Sequence, residues 1–403
     1  MKILSLSSVF PNTQEPGLGV FVSARIQKMA ELAEVKVVAP LPILDYSHPH
    51  KKFVRHRETG SLRQDDFEIL RPGWIFPPGG TPVNVVSLAL RLLPMLRRLR
   101  KRFPFEIIDA HFGYPEGAAA AILASALGVP FVVTLRGNEM VFACDHLRRK
   151  FLEWTLRRAN SVITVSEELR RFAIRHGSAL EHTHTIQNGV DTEVFYPRDR
   201  DHCRREFAIS GKTKLIVCAG ELIEAKGHHL AIRAVAKLAR QSSEILLMVV
   251  GGVARGGRRF DAQLRALISD LGAHDHVRMV GAVNRTQMAE LMSAADLFTL
   301  PSYGEGCPNV VTEALACGTP VVATAVGAVP ELVPNEEYGL TVPPRNEDAL
   351  RSALGRALAR KWDRSLISKH GGSRSWRTVA AEVIHVLEPL TSAQPGWVVP
   401  IGV

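Results

Sequence analysis

The stretch EGCPNVVTEALACGTPVVAT, residues 305 to 324, decides the fold. It sets Glu305 and Glu313 eight positions apart, on either side of Pro308-Asn309. Asn309 is a helix N-cap residue type, VVTEALAC is a short apolar helix, Gly318 suits the position just past a helix end, and Pro320 blocks continuation. Ahead of it DLFTLPS, and behind it PVVAT, read as buried strands. The order is strand, loop, helix, strand, with Glu305 in the loop and Glu313 near the first helical turn. Both carboxylates are predicted at the mouth where a strand's C-terminal end meets a helix N-terminus, where α/β proteins bind ligands.

The same alternation extends in both directions. Upstream, KILSLSSV, EVKVVAP, FEIIDAH, PFVVTLRG, SVITVS and HTIQN are strand candidates separated by helical stretches. The second half repeats the plan with KLIVCAG, EILLMVVGG and VRMVGAV before the opening stretch. Apolar strands alternating with helices mean parallel sheets covered on both faces. At 403 residues the chain calls for two domains. The turn-rich, charged run NGVDTEVFYPRDRDHCRREF reads as the connection, which sets a first domain at 1–195, a linker at 196–212 and a second domain at 213–370. A last helix, about 374–390, follows the Gly371-Gly372 break. Two such domains imply a cleft between facing strand ends, suited to one substrate on each side.

Composition narrows the partners. The chain is 46% hydrophobic and 22% charged, as in ordinary soluble globular proteins, and has no uninterrupted apolar run long enough to span a membrane. MKILSLSSVFPN reads as a first strand rather than a signal peptide, since its apolar run soon meets Pro11. Five cysteines (144, 203, 218, 307 and 317) with no C-x-x-C pair fit a reducing cytoplasm and no structural zinc. The net charge of +10 is not spread as in a nucleic-acid reader, and no groove-entering module is present. Instead LALRLLPMLRRLRKR, residues 88 to 102, gathers Arg91, Arg97, Arg98, Arg100, Lys101 and Arg102 with no acid. A basic amphipathic helix of this kind fits an anionic membrane surface; a solvated helix is the plainer alternative.

Two further glycine loops bear on the ligand. EPGLGVFV places Gly17 and Gly19 at a strand-to-helix turn, where backbone amides approach an anion or simply turn the chain. Val22 breaks the dinucleotide fingerprint. CAGELIEAKGHHLAI sets Lys226 beside Gly227 and a helix start, a phosphate grip in form, although a lone loop lysine is commonly solvated. Carboxylates do not bind phosphate but accept hydrogen bonds from vicinal hydroxyls. Glu305 and Glu313 around a helix N-terminus therefore suit a sugar on one side of a diphosphate and a ribose on the other.

The opening stretch, continued through AVGAVPELV, resembles the donor-site signature of glycosyltransferase family 4, the retaining GT-B enzymes that use nucleotide sugars. IQNGVDTEVFYP, SVITVSEEL, LLMVVGG and DAHFGYPEG extend the resemblance over nearly the whole chain. It implies a GT-B fold of two Rossmann-like parallel-sheet domains facing a central cleft. It further implies that Glu305 holds donor-sugar hydroxyls, with Gly306 and Cys307 beside it, and that Glu313 holds the nucleotide ribose. The amides of Asn309, Val310 and Val311 would approach the sugar and diphosphate, and Lys226 would hold the diphosphate. His111, ending FEIIDAH, would reach the donor sugar from the first domain, and the helix bearing Trp376 would cross back to that domain. The resemblance points to a glycan or lipid-linked acceptor in exopolysaccharide or cell-envelope synthesis, inside the cytoplasm or at the membrane's inner face.

Two positions depart from the family pattern. Glu221 stands where many members have Arg after the strand-ending glycine, and Arg136 stands where many have His in a T-x-H-G run. Glu221 is expected to turn away from a diphosphate or to pair with Lys226 or Arg136. No metal or other cofactor is expected, because the lone D-x-D, Asp199-Arg200-Asp201, follows no strand. A hydrolysing sugar-nucleotide 2-epimerase and an inactive sugar-nucleotide-binding protein are the competing readings.

Overall fold

Short apolar runs rich in Val, Ile and Leu become central strands because both faces of each are covered by helices. The computed structural model describes residues 1–43, 60–64, 67–75, 81–240, 243–253 and 258–392. The chain forms two units, one of Met1–Asn188 with Trp376 onward, the other of Gly189–Ser375.

In the first unit an eight-stranded sheet runs in the order Thr183–Thr185, Ser161–Thr164, Phe131–Leu135, Ile107–His111, Lys2–Leu6, Glu34–Val38, Phe67–Arg71, Gly60–Gln64. Every neighbouring pair is parallel except the last, where Gly60–Gln64 runs antiparallel to Phe67–Arg71. Only two residues separate those strands, too few for a parallel crossover. This edge corrects the all-parallel expectation; the separate small pair Leu41–Pro42 with Gly73–Trp74 is parallel. The helix Trp376–Ser392 belongs to this unit. It buries Trp376, Val379, Val383 and Leu387 against Val22, Ile26 and Met29 of the helix Val20–Ala30.

The second unit has a six-stranded, wholly parallel sheet: Val277–Gly281, Ile245–Val250, Lys214–Ala219, Leu297–Leu300, Val321–Thr324, Gly339–Val342. The expected linker 196–212 is not a free connection. Its residues 200–206 form the helix Arg200–Glu206, with Cys203 in the core of this unit. Arg204 is buried there and donates to the Ala294 carbonyl at 3.0 Å. Charge was read as exposure, whereas the guanidinium finds carbonyl acceptors inside.

In each sheet the strand order reverses once, between Lys2–Leu6 and Ile107–His111 in the first and between Lys214–Ala219 and Leu297–Leu300 in the second. Loops leaving the C-terminal ends of such strands splay apart and leave room for a ligand.

Candidate functional site

In the second unit the two loops at the reversal are 220–227 and 301–308, and they are bound to each other. The Tyr303 amide donates to the Ala225 carbonyl at 2.8 Å. Gly227, at φ 69°, caps the helix His228–Ala239 and lies against Pro301, where a Cβ would fall on the Pro301 carbonyl. Only glycine fits both the left-handed backbone and that approach. The loops meet at an ion pair, Lys226 Nζ to Glu305 Oε1 at 2.7 Å. Lys226 and Glu305, 79 positions apart in sequence, thus share one place.

The helix entered from the Glu305 loop spans Asn309–Ala316. Its N-cap is Pro308 rather than the expected Asn309, because proline's fixed φ seats it one residue ahead of the first turn. Of the three amides assigned to the donor, that of Val311 is already taken by the Pro308 carbonyl at 3.0 Å. The Val310 amide has no acceptor among the described residues. Gly318, at φ 75°, closes the helix as expected: its amide reaches Leu315 O and that of Thr319 reaches Ala314 O. Gly306 lends its carbonyl to the Ala328 amide at 2.9 Å, tying a third loop to the site, and Cys307 beside it is half-buried and in no disulfide.

Glu313, the residue just past the first helical turn, lies at the start of the second. Burial pushes its carboxyl up to about 7; nearby Arg285 opposes this and Asp191 adds to it. Those two pair at 2.9 Å, so the cation near Glu313 is already neutralised. Glu221 is exposed and pairs with no cation among the described residues. Its backbone carbonyl lies 3.0 Å from His228 Nε2. Pairing with Lys226 is therefore not seen, since Lys226 holds Glu305.

In the first unit the reversal is lined by a buried charged network. His111 ends its strand fully enclosed, with Arg25 Nη2 at 2.9 Å and Asp109 Oδ2 at 3.3 Å from Nε2. Arg136 Nη2 lies 3.0 Å from Nδ1 and Nε 3.3 Å from it. Burial and the Arg25 charge push the imidazole down to about 3. Arg136 also reaches the Asn188 side chain at 3.2 Å. Phe112, the next residue, holds φ 71°, a strained conformation for a residue with a Cβ.

Two acids close the neighbouring turns. Glu116 accepts from the Ser8 amide at 3.1 Å and from its hydroxyl, and burial pushes its carboxyl up to about 7. Glu139 accepts the amides of Gly113, Arg136 and Gly137. The glycine loop is more closed than expected. Gly19, at φ 65°, packs on the Val9 carbonyl of its own loop, and Gly17 is exposed with open space around it.

Arg25, Asp109, Glu116 and Glu139 were missed in the sequence. For the first two a signal was present: Arg25 occupies the apolar stripe of its helix with Val22, Ile26 and Met29, and Asp109 interrupts a buried strand. A charge on an inward position needs a partner. Among the basic residues of the helix Thr81–Arg102, Arg91, Arg97, Arg98, Lys101 and Arg102 are exposed, while Arg100 turns back onto the Leu127 carbonyl. Val83, Val86 and Leu90 are exposed on the same helix. No helix of the described residues is long and apolar enough to cross a membrane.

The family profile "Glycosyl transferases group 1" matches residues 199–371, and "Glycosyltransferase Family 4" matches 17–194. A protein of Bacillus subtilis (strain 168) named for teichuronic acid biosynthesis is 28% identical over 372 residues, covering 88% of this chain and 89% of that protein. An MMP alpha-(1->4)-mannosyltransferase of Mycolicibacterium hassiacum is 27% identical, covering 96% and 97%. Among solved structures, sucrose-phosphate synthase of Thermosynechococcus elongatus superposes with a TM-score of 0.79 at 21% identity, covering 98% of this chain and all of that one. Anabaena HepE in complex with UDP gives 0.75 at 19%, covering 96% and 100%. With its GT-B fold and both halves matched, the chain belongs to glycosyltransferase family 4.

Proposed function

We propose that the chain is a retaining, metal-independent hexosyltransferase. It moves a sugar from a nucleotide-sugar donor to a glycan or lipid-linked acceptor of exopolysaccharide or cell-envelope synthesis. The observation that carries this is the meeting of Lys226 and Glu305 at 2.7 Å across the reversal-point loops, with Glu313 on the helix that follows. One cation and two carboxylates there match a diphosphate flanked by two polyols. HepE, solved with UDP and with UDP-glucose, supports a nucleotide-sugar donor. The names of the relatives support a hexosyl group and an envelope glycan.

In this mechanism the donor diphosphate replaces Glu305 at Lys226, and Glu305 turns to the sugar hydroxyls. The helix N-terminus at Asn309, with the Val310 amide, adds positive potential where charge builds on the departing phosphate. Glu313 accepts from the ribose, and His111 is the first unit's contribution to the sugar. The acceptor hydroxyl attacks the anomeric carbon on the face the diphosphate leaves, and the departing phosphate oxygen takes its proton. No carboxylate nucleophile is needed. The Asp199-Arg200-Asp201 run is a helix cap, Asp199 accepting the His202 amide at 3.0 Å, which favours charge stabilisation by Lys226 over a metal held there. The exposed residues Val83, Val86, Leu90, Arg91, Arg97, Arg98, Lys101 and Arg102 fit docking on anionic lipid at the cytoplasmic face of the membrane.

The test incubates the full chain with UDP-, GDP- and ADP-hexoses in excess EDTA, reading released nucleoside diphosphate and sugar products. Release with transfer or slow hydrolysis is expected. Activity restored only by Mn²⁺ overturns metal independence, epimer formation favours the 2-epimerase reading, and binding without turnover favours an inactive sugar-nucleotide-binding protein.

A further inference from the structure

His111 sits between two guanidinium groups, an arrangement that a histidine survives in only one protonation state. An imidazolium would direct an N–H at each cation. A neutral ring protonated at Nδ1 would aim that proton at Arg136, whose Nε and Nη2 are both donors 3.3 and 3.0 Å away. A neutral ring protonated at Nε2 also has Arg25 Nη2 2.9 Å from that nitrogen, but of the two neutral forms it alone gives the ring proton an acceptor, Asp109 Oδ2 at 3.3 Å, while the Nδ1 lone pair accepts from Arg136. Asp109 is itself immobilised. Arg25 Nη2 donates to Oδ1 at 2.7 Å and Oδ2 at 2.6 Å, and the Ser5 hydroxyl reaches Oδ2 at 3.2 Å. Arg25 Nη1 is anchored on the Thr134 hydroxyl at 2.9 Å. Arg25 and Asp109 are 2% and 0% exposed, so neither exchanges partners with water.

We infer that Arg25 and Asp109 are positioning residues that fix His111 as a neutral imidazole protonated at Nε2, leaving Nδ1 as its working hydrogen-bond acceptor. Arg136 occupies that acceptor in the free protein, and a hydroxyl of the sugar takes its place during turnover. His111 then acts by accepting a hydrogen bond, not by moving a proton. The hydroxyl is the part that rests on the proposed function; the protonation state does not. The charged groups facing the ring are Arg25 from the helix Val20–Ala30, Asp109 from its own strand, and Arg136 from the turn after Phe131–Leu135. Burial and the two guanidinium groups together hold it neutral across the range in which histidine ordinarily titrates.

The test is ¹⁵N NMR of the full chain labelled at histidine, the His111 signals being assigned by their loss in His111→Gln. Neutron diffraction reads the same proton without a variant. Expected are one protonated and one bare ring nitrogen, the proton on Nε2, with no titration from about pH 5 to 8. Arg136→Leu should leave the proton on Nε2, since Asp109 sets it. A proton on Nδ1, titration within that range, or a switch of tautomer in Arg136→Leu overturns the inference. In turnover, Asp109→Asn should lower kcat by about tenfold or more with donor KM changed much less, while Arg25→Lys retains most of kcat. Equal loss in KM alone counts against a positioning role. A protein with the Nε2 proton but no sugar transfer refutes the proposed function and leaves the protonation state standing.

Discussion

At the residue scale the second unit's site is two carboxylates in different states. Glu305 is held by Lys226 at 2.7 Å, so removing either partner leaves the other poorly compensated. Lys226→Ala should weaken nucleoside diphosphate binding by about ten- to a hundredfold, the worth of one or two charge-assisted hydrogen bonds, while the bare nucleoside binds as before. Calorimetric titration of UDP against uridine checks this, and equal losses for both ligands would count against a diphosphate role. Glu305→Gln should cut turnover more than nucleotide binding, because its assigned partner is the sugar. Glu313 differs, since burial holds its carboxyl near 7. A ribose is gripped best by the ionised form, so nucleotide affinity should rise as pH passes upward through about 7. Glu313→Gln should bind more weakly and show no such rise. A wild-type affinity that is flat from about pH 6 to 8 argues against the ribose contact.

At the scale of elements, the strands and helices of both sheets were legible because apolar runs and glycine or proline punctuation repeat along the chain. The stretch 297–324 folds as strand, loop, helix, strand, with Gly318 just past the helix. What failed to show was long-range pairing. Nothing in CAGELIEAKGHHLAI says that Lys226 meets Glu305, nor that Gly227 is there to let the helix start press on Pro301. The edge pair Gly60–Gln64 with Phe67–Arg71 was passed over, its strands being separated by too little chain for the βαβ pattern that organises the rest. Charge misled twice, at Arg204 and Arg100, where guanidinium groups cap carbonyls instead of facing water. The Gly227 junction offers a direct test. Gly227→Ala puts a Cβ on the Pro301 carbonyl at φ 69° and should separate the two loops. Donor binding should fall at least tenfold while far-UV circular dichroism is unchanged; full binding would show that the contact is dispensable. For the helix Thr81–Arg102, liposome flotation should show binding to anionic but not neutral vesicles, weakening as salt rises. Replacing Leu90 and Arg97 together by glutamate should abolish it, and equal flotation with both vesicle types would remove the membrane from the account.

At the scale of the whole molecule, buried titratable groups set how stability depends on pH, and among the described residues each unit carries one carboxyl raised by burial. Glu116 in the first and Glu313 in the second both rise from an ordinary 4.5 to about 7. A carboxyl whose folded value is raised holds its proton more tightly when folded. The stability it contributes is therefore fully present below about 4.5 and is lost as pH rises through about 7. Asp109 has the opposite sign. Although burial opposes ionisation, Arg25 and His111 hold its carboxyl far below the ordinary 3.8, so its contribution is present above about 3.8 and disappears only in strong acid. The two raised carboxyls lower stability toward pH 8, whereas buried His111 and His228, pushed down to about 3 and about 4, lower it as pH falls below about 6.5, so the two effects oppose each other. Scanning calorimetry of wild type and variants at about pH 5 and pH 8 separates the carboxyl contribution from that of the histidines. Glu116→Gln keeps an acceptor for Ser8 and should remove the carboxyl contribution in the first unit, and Glu313→Gln should remove it in the second. At pH 8 each variant should exceed wild type by roughly 1–3 kcal/mol, with the advantage gone at pH 5. Because the two substitutions lie in separate units and share no partner, their effects should add. Variants no more stable than wild type at pH 8 would mean that neither carboxyl is held protonated by the fold.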